Sequence, residues 1–242
     1  MQSGFLCVNK PTGMTSFEVV SLVKKKLGTK RVGHLGTIDK AGAGVLPIAV
    51  GSATKFFDHF LSKDKTYLAI FRFGEETDTL DSYGTITNKN SVNVTLNELK
   101  EASKKFVGHI SQTPPSYSAV KVGGKRASDI VHSGGEVELK SRDVVVFSFD
   151  VLEMLEKNLF LVKIHCSAGT YIRSIVRDIA HVLGTFGTMV AIIRTQSGAF
   201  EIENSILPEE IDWENVVPIS SVVKPEELES DKLKKLLENN ND

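Results

Sequence analysis

At 242 residues the chain is long enough for one large domain or two small ones, and 41% hydrophobic with 24% charged residues excludes wholesale disorder. The net charge of −1 hides an asymmetry: residues 201–242 hold 4 Lys/Arg against 12 Asp/Glu, leaving 25 against 18 in residues 1–200. A basic body with an acidic tail suits a nucleic-acid-facing protein, although solvated charges clustering by chance would look the same. Two cysteines, Cys7 and Cys166, cannot build a disulfide framework, so a reducing compartment is expected. The longest apolar runs, 144–147 and 189–193, are far too short to span a membrane. Nor does the N-terminus resemble a signal peptide, and the expected location is cytoplasmic.

In chain order, 5–9 is short and apolar, followed by a Lys10-Pro11-Thr12-Gly13 turn. Ser16 is placed to cap a helix over 17–27, with Val19, Val20, Val23 and Leu27 along one side. Four glycines within 33–44 make that stretch a loop. A buried strand is expected over 45–50, then a short helix over 52–61 with Phe56, Phe57 and Phe60 inward. Residues 65–74 alternate as a strand with Tyr67, Ala69, Phe71 and Phe73 on one face. The polar stretch 75–84 reads as turns, 95–106 as a helix, and 112–116 as extended. A short helix lies within the basic segment 121–138, and 143–155 with 158–167 form a hairpin. Thr170 opens a helix to Leu183, buried through Ile172, Ile175, Val176 and Ile179. A strand over 188–195 and an exposed terminal helix over 225–240 complete the pattern. Strands separated by turns alone favour α+β with a mixed, largely antiparallel sheet flanked by helices.

Phosphate-loop, dinucleotide and serine-elbow motifs are missing, and the six histidines are dispersed, so neither metal nor cofactor is expected. What the sequence offers is Asp39, a carboxylate in a glycine-rich loop. On residues alone the favoured reading is a turn former; the alternative is a nucleophile at a glycosidic carbon. Arg173 sits in the first turn of its helix, against the dipole. It therefore calls for a carboxylate or phosphate partner, or else it is a surface residue whose stem covers apolar neighbours. Tyr67 reads as core. Tyr117, near Lys121, Lys125 and Arg126, reads as an exposed ring in a segment suited to RNA.

Several segments stand in one order over about residues 4–200. They are Lys10-Pro11-x-Gly13-x-Thr15-Ser16, Gly33-His34-Leu35-Gly36-Thr37-Ile38-Asp39 with Gly44-Val45-Leu46-Pro47, and Gly51-x-Ala53-Thr54-Lys55. Further on come Lys65-x-Tyr67, Pro114-Pro115-x-Tyr117-Ser118-Ala119-x-Lys121 and Cys166-Ser167-x-Gly169-Thr170-Tyr171-Ile172-Arg173. Together they resemble the bacterial-type tRNA pseudouridine-55 synthases, the TruB family.

The resemblance implies a pseudouridine synthase core with a central cleft over residues 1–205, including an RNA-gripping loop at 110–137. Residues 206–242 are then a short acidic extension in place of a full C-terminal RNA-binding domain. It implies isomerisation of uridine 55 in the T-arm of tRNA by a monomer, without metal or cofactor. Asp39 matches the nucleophile, Tyr67 the tyrosine that stacks on the target base, and Arg173 the arginine paired with the aspartate. His34 matches a support for flipped-out nucleotides, Lys55 a basic contact, and Tyr171 and Ile193 pocket-lining positions. Lys40 stands where the family usually has proline, and Ala41-Gly42-Ala43 is smaller than usual, which implies a looser loop. An RNA-binding or tRNA-folding chaperone with weak or lost catalysis is the runner-up, and a sugar-cleaving enzyme ranks below both.

Overall fold

A computed structural model describes residues 3–238. The chain forms two compact units, one built from the residues up to 66 together with those from 193 onward, the other from residues 67–192. The elements begin with β1 (Gly4–Lys10), α1 (Ser16–Leu27), β2 (Val32–His34), β3 (Ala43–Val50), α2 (Phe57–Leu61) and β4 (Lys65–Phe73). They continue with β5 (Glu75–Thr77), β6 (Ile86–Lys89), α3 (Leu96–Ser103), β7 (Gly108–Gln112), β8 (Lys121–Val122), β9 (Lys125–Arg126) and α4 (Ala127–His132). Then follow β10 (Arg142–Glu156), β11 (Leu159–Cys166), α5 (Ile172–Val182), β12 (Gly187–Ser197), β13 (Phe200–Glu201), β14 (Val217–Pro218) and α6 (Asp231–Glu238). The architecture is α+β and the strand pairing mostly antiparallel, as the alternation of elements required.

In the first unit the strand order is β14-β1-β3-β12. β1 runs antiparallel to β3 from Gly4↔Val50 to Lys10↔Gly44, and β12 joins β3 in parallel through Ile193↔Ala43 and Arg194↔Gly44. Both faces of this sheet are covered, which is why β3 reads as an unbroken apolar run rather than an alternation. Phe5, Val45 and Ala49 pack with Phe56, Phe60 and Phe200 in one cluster. Leu6, Val8, Leu46 and Ile48 meet Val19, Val23 and Leu27 of α1 in another. Each such buried side chain contributes roughly 1.5–3 kcal/mol.

The second unit has strand order β12-β4-β11-β10-β7. Ala69, Phe71 and Phe73 of β4 share a core with Phe160, Val162 and Ile164 of β11. Leu99 and Ala102 of α3 pack into that core, as does the stripe Ile172, Ile175, Val176 and Ile179 of α5. The hairpin of β10 and β11 is antiparallel, with register shifts along its length.

Some local expectations are corrected. Thr15, not Ser16, caps α1: its hydroxyl accepts from the Glu18 amide, and the Glu18 carboxylate accepts from the Thr15 amide at 2.6 Å. This reciprocal pair uses the longer reach of glutamate at the third helical position. Ser16 is thereby left for another task, described below. The 52–61 stretch is a 3-10 segment (Gly51–Phe56) leading into α2, and Phe57 faces solvent while Phe56 and Phe60 are buried. α5 begins at Ile172 after Tyr171, with no side-chain cap from Thr170. The glycine-rich stretch 33–44 is strand at both ends rather than loop throughout, because its outer glycines lie in β2 and β3. The terminal helix is not exposed: α6 buries Leu237 and packs Leu233 and Leu236 against the phenylalanine cluster. Asn239 and Asn240 lie outside the described residues.

Candidate active site

Asp39 lies on an exposed turn between β2 and β3 whose backbone is tied on both sides. Ser16 Oγ donates to the Ile38 carbonyl at 3.1 Å and accepts from the Ile38 amide at 3.0 Å. Arg194 Nη1 donates to the Thr37 carbonyl at 3.2 Å and its Nε to the Val45 carbonyl at 2.8 Å. Beyond the aspartate, the Gly13 amide donates to the Lys40 carbonyl at 2.8 Å, and the Gly42 amide to the Asp39 carbonyl at 3.0 Å. Around Lys40 and Ala41-Gly42-Ala43, the turn's backbone groups are thus engaged by Ser16, Arg194 and the Gly13 and Gly42 amides. Gly44 is required where the strand resumes. Its φ is +102°, and a Cβ there would stand 2.2 Å from the Arg194 carbonyl oxygen.

Two buried cations lie beneath this turn. Lys10 is fully buried, and its Nζ donates to the carbonyls of Gly42 at 2.5 Å, Met14 at 2.6 Å and Pro11 at 3.0 Å. Desolvation pulls its pKa from 10.5 down to about 8; the Asp39 carboxylate opposes the shift and Arg194 adds to it. The unfolded chain binds more protons than the folded one between those values, so the stability cost of the buried ammonium fades as pH rises from about 8 to 10.5. The clamp itself weakens over the same window, because a neutral amine has two hydrogens for three carbonyls. Any activity that depends on this turn should therefore fall on the alkaline side with a midpoint near pH 8. Rate profiles from pH 6 to about 10 check this, and Lys10→Met should lack that limb.

The other expected residues of this unit gather around the same strands. His34 ends β2 opposite Ile48. Burial pulls its pKa below the usual imidazole value; a hydrogen bond with the Gly36 backbone opposes the shift, and the Arg194 cation adds to it. The ring is thus neutral at pH 7, and its Nδ1 is buried without a partner. Ile193 pairs with Ala43, and its Cγ1 would stand 2.9 Å from a Cβ on Gly44. Lys55 is exposed, next to Thr54, whose hydroxyl accepts from Arg31 Nε at 3.1 Å.

The second unit holds Arg173, Tyr171 and Tyr67. Arg173 is no surface residue: only 4% exposed, it donates from Nη1 to the Thr79 carbonyl at 2.9 Å and from Nη2 to the Tyr117 carbonyl at 3.0 Å. The carboxylate its position called for includes Asp81, whose Oδ2 lies 3.8 Å from Nη1. Asp81 is itself buried and oriented, accepting on Oδ1 from Thr79 Oγ1 at 2.7 Å and from the Tyr83 amide at 3.0 Å. Tyr117 is half-buried rather than exposed, edge-on to His132 with its hydroxyl 3.5 Å from Asp78. Tyr171 is gripped through its backbone by the Gln112 amide, at 2.8 and 3.0 Å. Tyr67 is half-buried on β4 and packs against the core.

Sequence reasoning missed Lys10 as a buried group, and missed Arg194, Asp81 and Gln112 altogether. Two carried a signal: Lys10 closes an apolar strand and Arg194 stands inside one, and a cation so placed must find acceptors. Asp81 lies in a turn-rich stretch where any aspartate would look ordinary. Among the described residues no group of three or more His, Cys, Asp or Glu could hold a metal ion, and no helix is long and apolar enough to cross a membrane.

Residues 24–172 match the family model for TruB family pseudouridylate synthase (N terminal domain). The chain is 42% identical over 241 residues to tRNA pseudouridine synthase B of Clostridium kluyveri, covering 97% of this chain and 83% of that protein. It is 46% identical over 206 residues to tRNA pseudouridine synthase B of a Nostoc species, covering 84% of this chain and 70% of that one. Among solved structures, a chain of a Cbf5-Nop10-Gar1 complex superposes with TM-score 0.66 at 31% identity, over 84% of this chain and 52% of that one. A chain from an H/ACA RNP bound to a substrate RNA containing 2'-deoxyuridine superposes with TM-score 0.65 at 28% identity, over 86% of this chain. The chain spans about half the length of those two solved chains.

Proposed function

We infer the reaction from one premise: the chain belongs to the TruB family of pseudouridylate synthases. It isomerises uridine to pseudouridine in tRNA, and the uridine is that at position 55 of the T-arm loop. Asp39 is the nucleophile. The N-glycosidic bond to uracil breaks, the freed base turns, and a carbon–carbon bond forms to the same ribose. The C5 proton leaves, N1 gains one, and the carboxylate is released unchanged. The atoms balance without oxidant, reductant or group donor.

The observation that carries this reading is the exposed aspartate on a turn tied at Thr37, Ile38, Lys40 and Gly42. A nucleophile held this way spends little freedom on reaching its near-attack position. Tyr67 stacks on the target base and handles a proton. Arg173, its guanidinium oriented by two carbonyls and Asp81, takes the role of the family's catalytic arginine, a fixed cation suited to a carboxylate. His34, Lys55, Tyr171 and Ile193 receive the everted nucleotide and its neighbours. Unstacking a base costs a few kcal/mol; phosphate contacts from the basic residues of 1–200 offset it, so affinity should fall steeply with salt.

The test is incubation of the purified chain with unmodified tRNA, followed by mapping of pseudouridine by position. One modified site, at position 55, is the expected result. Modification elsewhere only would overturn the site assignment. Binding without conversion in a single-turnover experiment would favour the chaperone reading.

A further inference from the structure

We propose, resting on the reading above, that Arg142 is a receptor for one phosphate of the substrate RNA, through its Nε and Nη2 hydrogens. Arg142 opens β10, in register with Gln112 of β7. Its guanidinium carbon lies over the Tyr171 ring, 4.6 Å from its centre, within cation–π range. Gln112 meanwhile locks the Tyr171 backbone from both its amide and its carbonyl. The platform under the guanidinium is therefore rigid.

The edge of that guanidinium is unusual. Nε and Nη2 are both shielded from water, and neither has a hydrogen-bond partner. Buried donors are almost always paired, because an unpaired one forfeits its hydration. A methionine of similar reach would fill the space without that penalty. Nε and Nη2 are also the pair of donors that meets two oxygens of an oxyanion side by side. RNA offers one such group per nucleotide.

A glycine turn borders the site. Segment 167–170 passes over the guanidinium: a Cβ on Gly169 would stand 3.9 Å from Cζ and Nη1. Gly169 itself is exposed with φ +81°, and Arg142 as a residue is half-buried rather than sealed. A docking phosphate takes both donors. The receptor thus sits beside Gly169, which precedes Thr170 and Tyr171 at the start of the helix that carries Arg173.

The test uses the full chain, a T-arm stem-loop RNA, and the variants Arg142→Met and Arg142→Lys. Affinity is measured by fluorescence anisotropy and stability by thermal melting. Arg142→Met should melt at or above the wild-type temperature, since it removes two unpaired donors. It should bind RNA about tenfold more weakly, the loss of a charge-assisted fork. Arg142→Lys should fall between, having the charge without the fork. Replacing RNA phosphates one at a time by neutral methylphosphonates should reveal one position that weakens the wild type and leaves Arg142→Met unaffected. Affinity of Arg142→Met within twofold of wild type, a large drop in its melting temperature, or identical methylphosphonate profiles for both proteins would each overturn the proposal. If the wild type binds the stem-loop yet makes no pseudouridine, the catalytic reading fails, while the methylphosphonate profile still decides the role of Arg142.

Discussion

Asp39→Asn is expected to abolish pseudouridine formation while leaving the fold and RNA affinity close to wild type. The turn's backbone is held by the Gly13 amide and by the side chains of Ser16, Lys10 and Arg194, and none of these bonds uses the carboxylate oxygens. A carboxamide therefore stays in place but cannot attack a glycosidic carbon. Loss of a nucleophile costs about four to six orders of magnitude in kcat. Single-turnover conversion of a T-arm stem-loop, with affinity measured beside it, separates chemistry from binding. Retention of more than a tenth of the wild-type rate would end the assignment of Asp39 as nucleophile. A matching loss of affinity would mean that the side chain binds rather than reacts.

Asp81→Ala should damage stability and catalysis together. Removing one member of a buried ion pair leaves the other charge poorly compensated, at about 3 kcal/mol or more. Asp81 and Arg173 are both buried, so solvent does not soften the loss. In a chain of this size the melting temperature should drop by about 6–12 °C. The Thr79 carbonyl, which accepts from Arg173, loses its anchor too, because Asp81 accepts from the Thr79 hydroxyl. Arg173 is then free to turn, and kcat should fall by at least about tenfold with KM less affected, as expected when an oriented charge is lost. Asp81→Asn keeps both hydrogen bonds on Oδ1 and should recover most of the melting temperature but less of the rate. A variant with wild-type kcat would show that Asp81 serves packing alone.

The elements were legible where periodicity was strong. The stripe of α5 and the faces of β4 follow from spacing, because one covered face leaves the pattern intact. The ends of elements were less so. Thr15 and Ser16 are adjacent and chemically equivalent as caps; Glu18, three residues after Thr15, favours Thr15, and the distant Ile38 engages Ser16. The Asp39 turn was visible from its glycines, and Arg173 from its conflict with the helix dipole. What gives those two residues their setting was not visible. Lys10, Arg194 and Asp81 act through carbonyls and carboxylates far away in the chain, and such pairing leaves no local mark. The ties on the turn around Lys40 are of the same kind, since they come from Gly13 and Lys10.

The division of the chain bears on how it is made. Residues 67–192 are one continuous stretch and hold their own core, so a nascent chain can complete that unit as soon as it clears the ribosome. The other unit cannot finish so early. Gly4 pairs with Pro218, and Phe5 shares its cluster with Ile219, Val223 and Leu228. The strand at Gly4 and Phe5 waits for residues 217–228, and its apolar side chains stay open to chaperones until those are made.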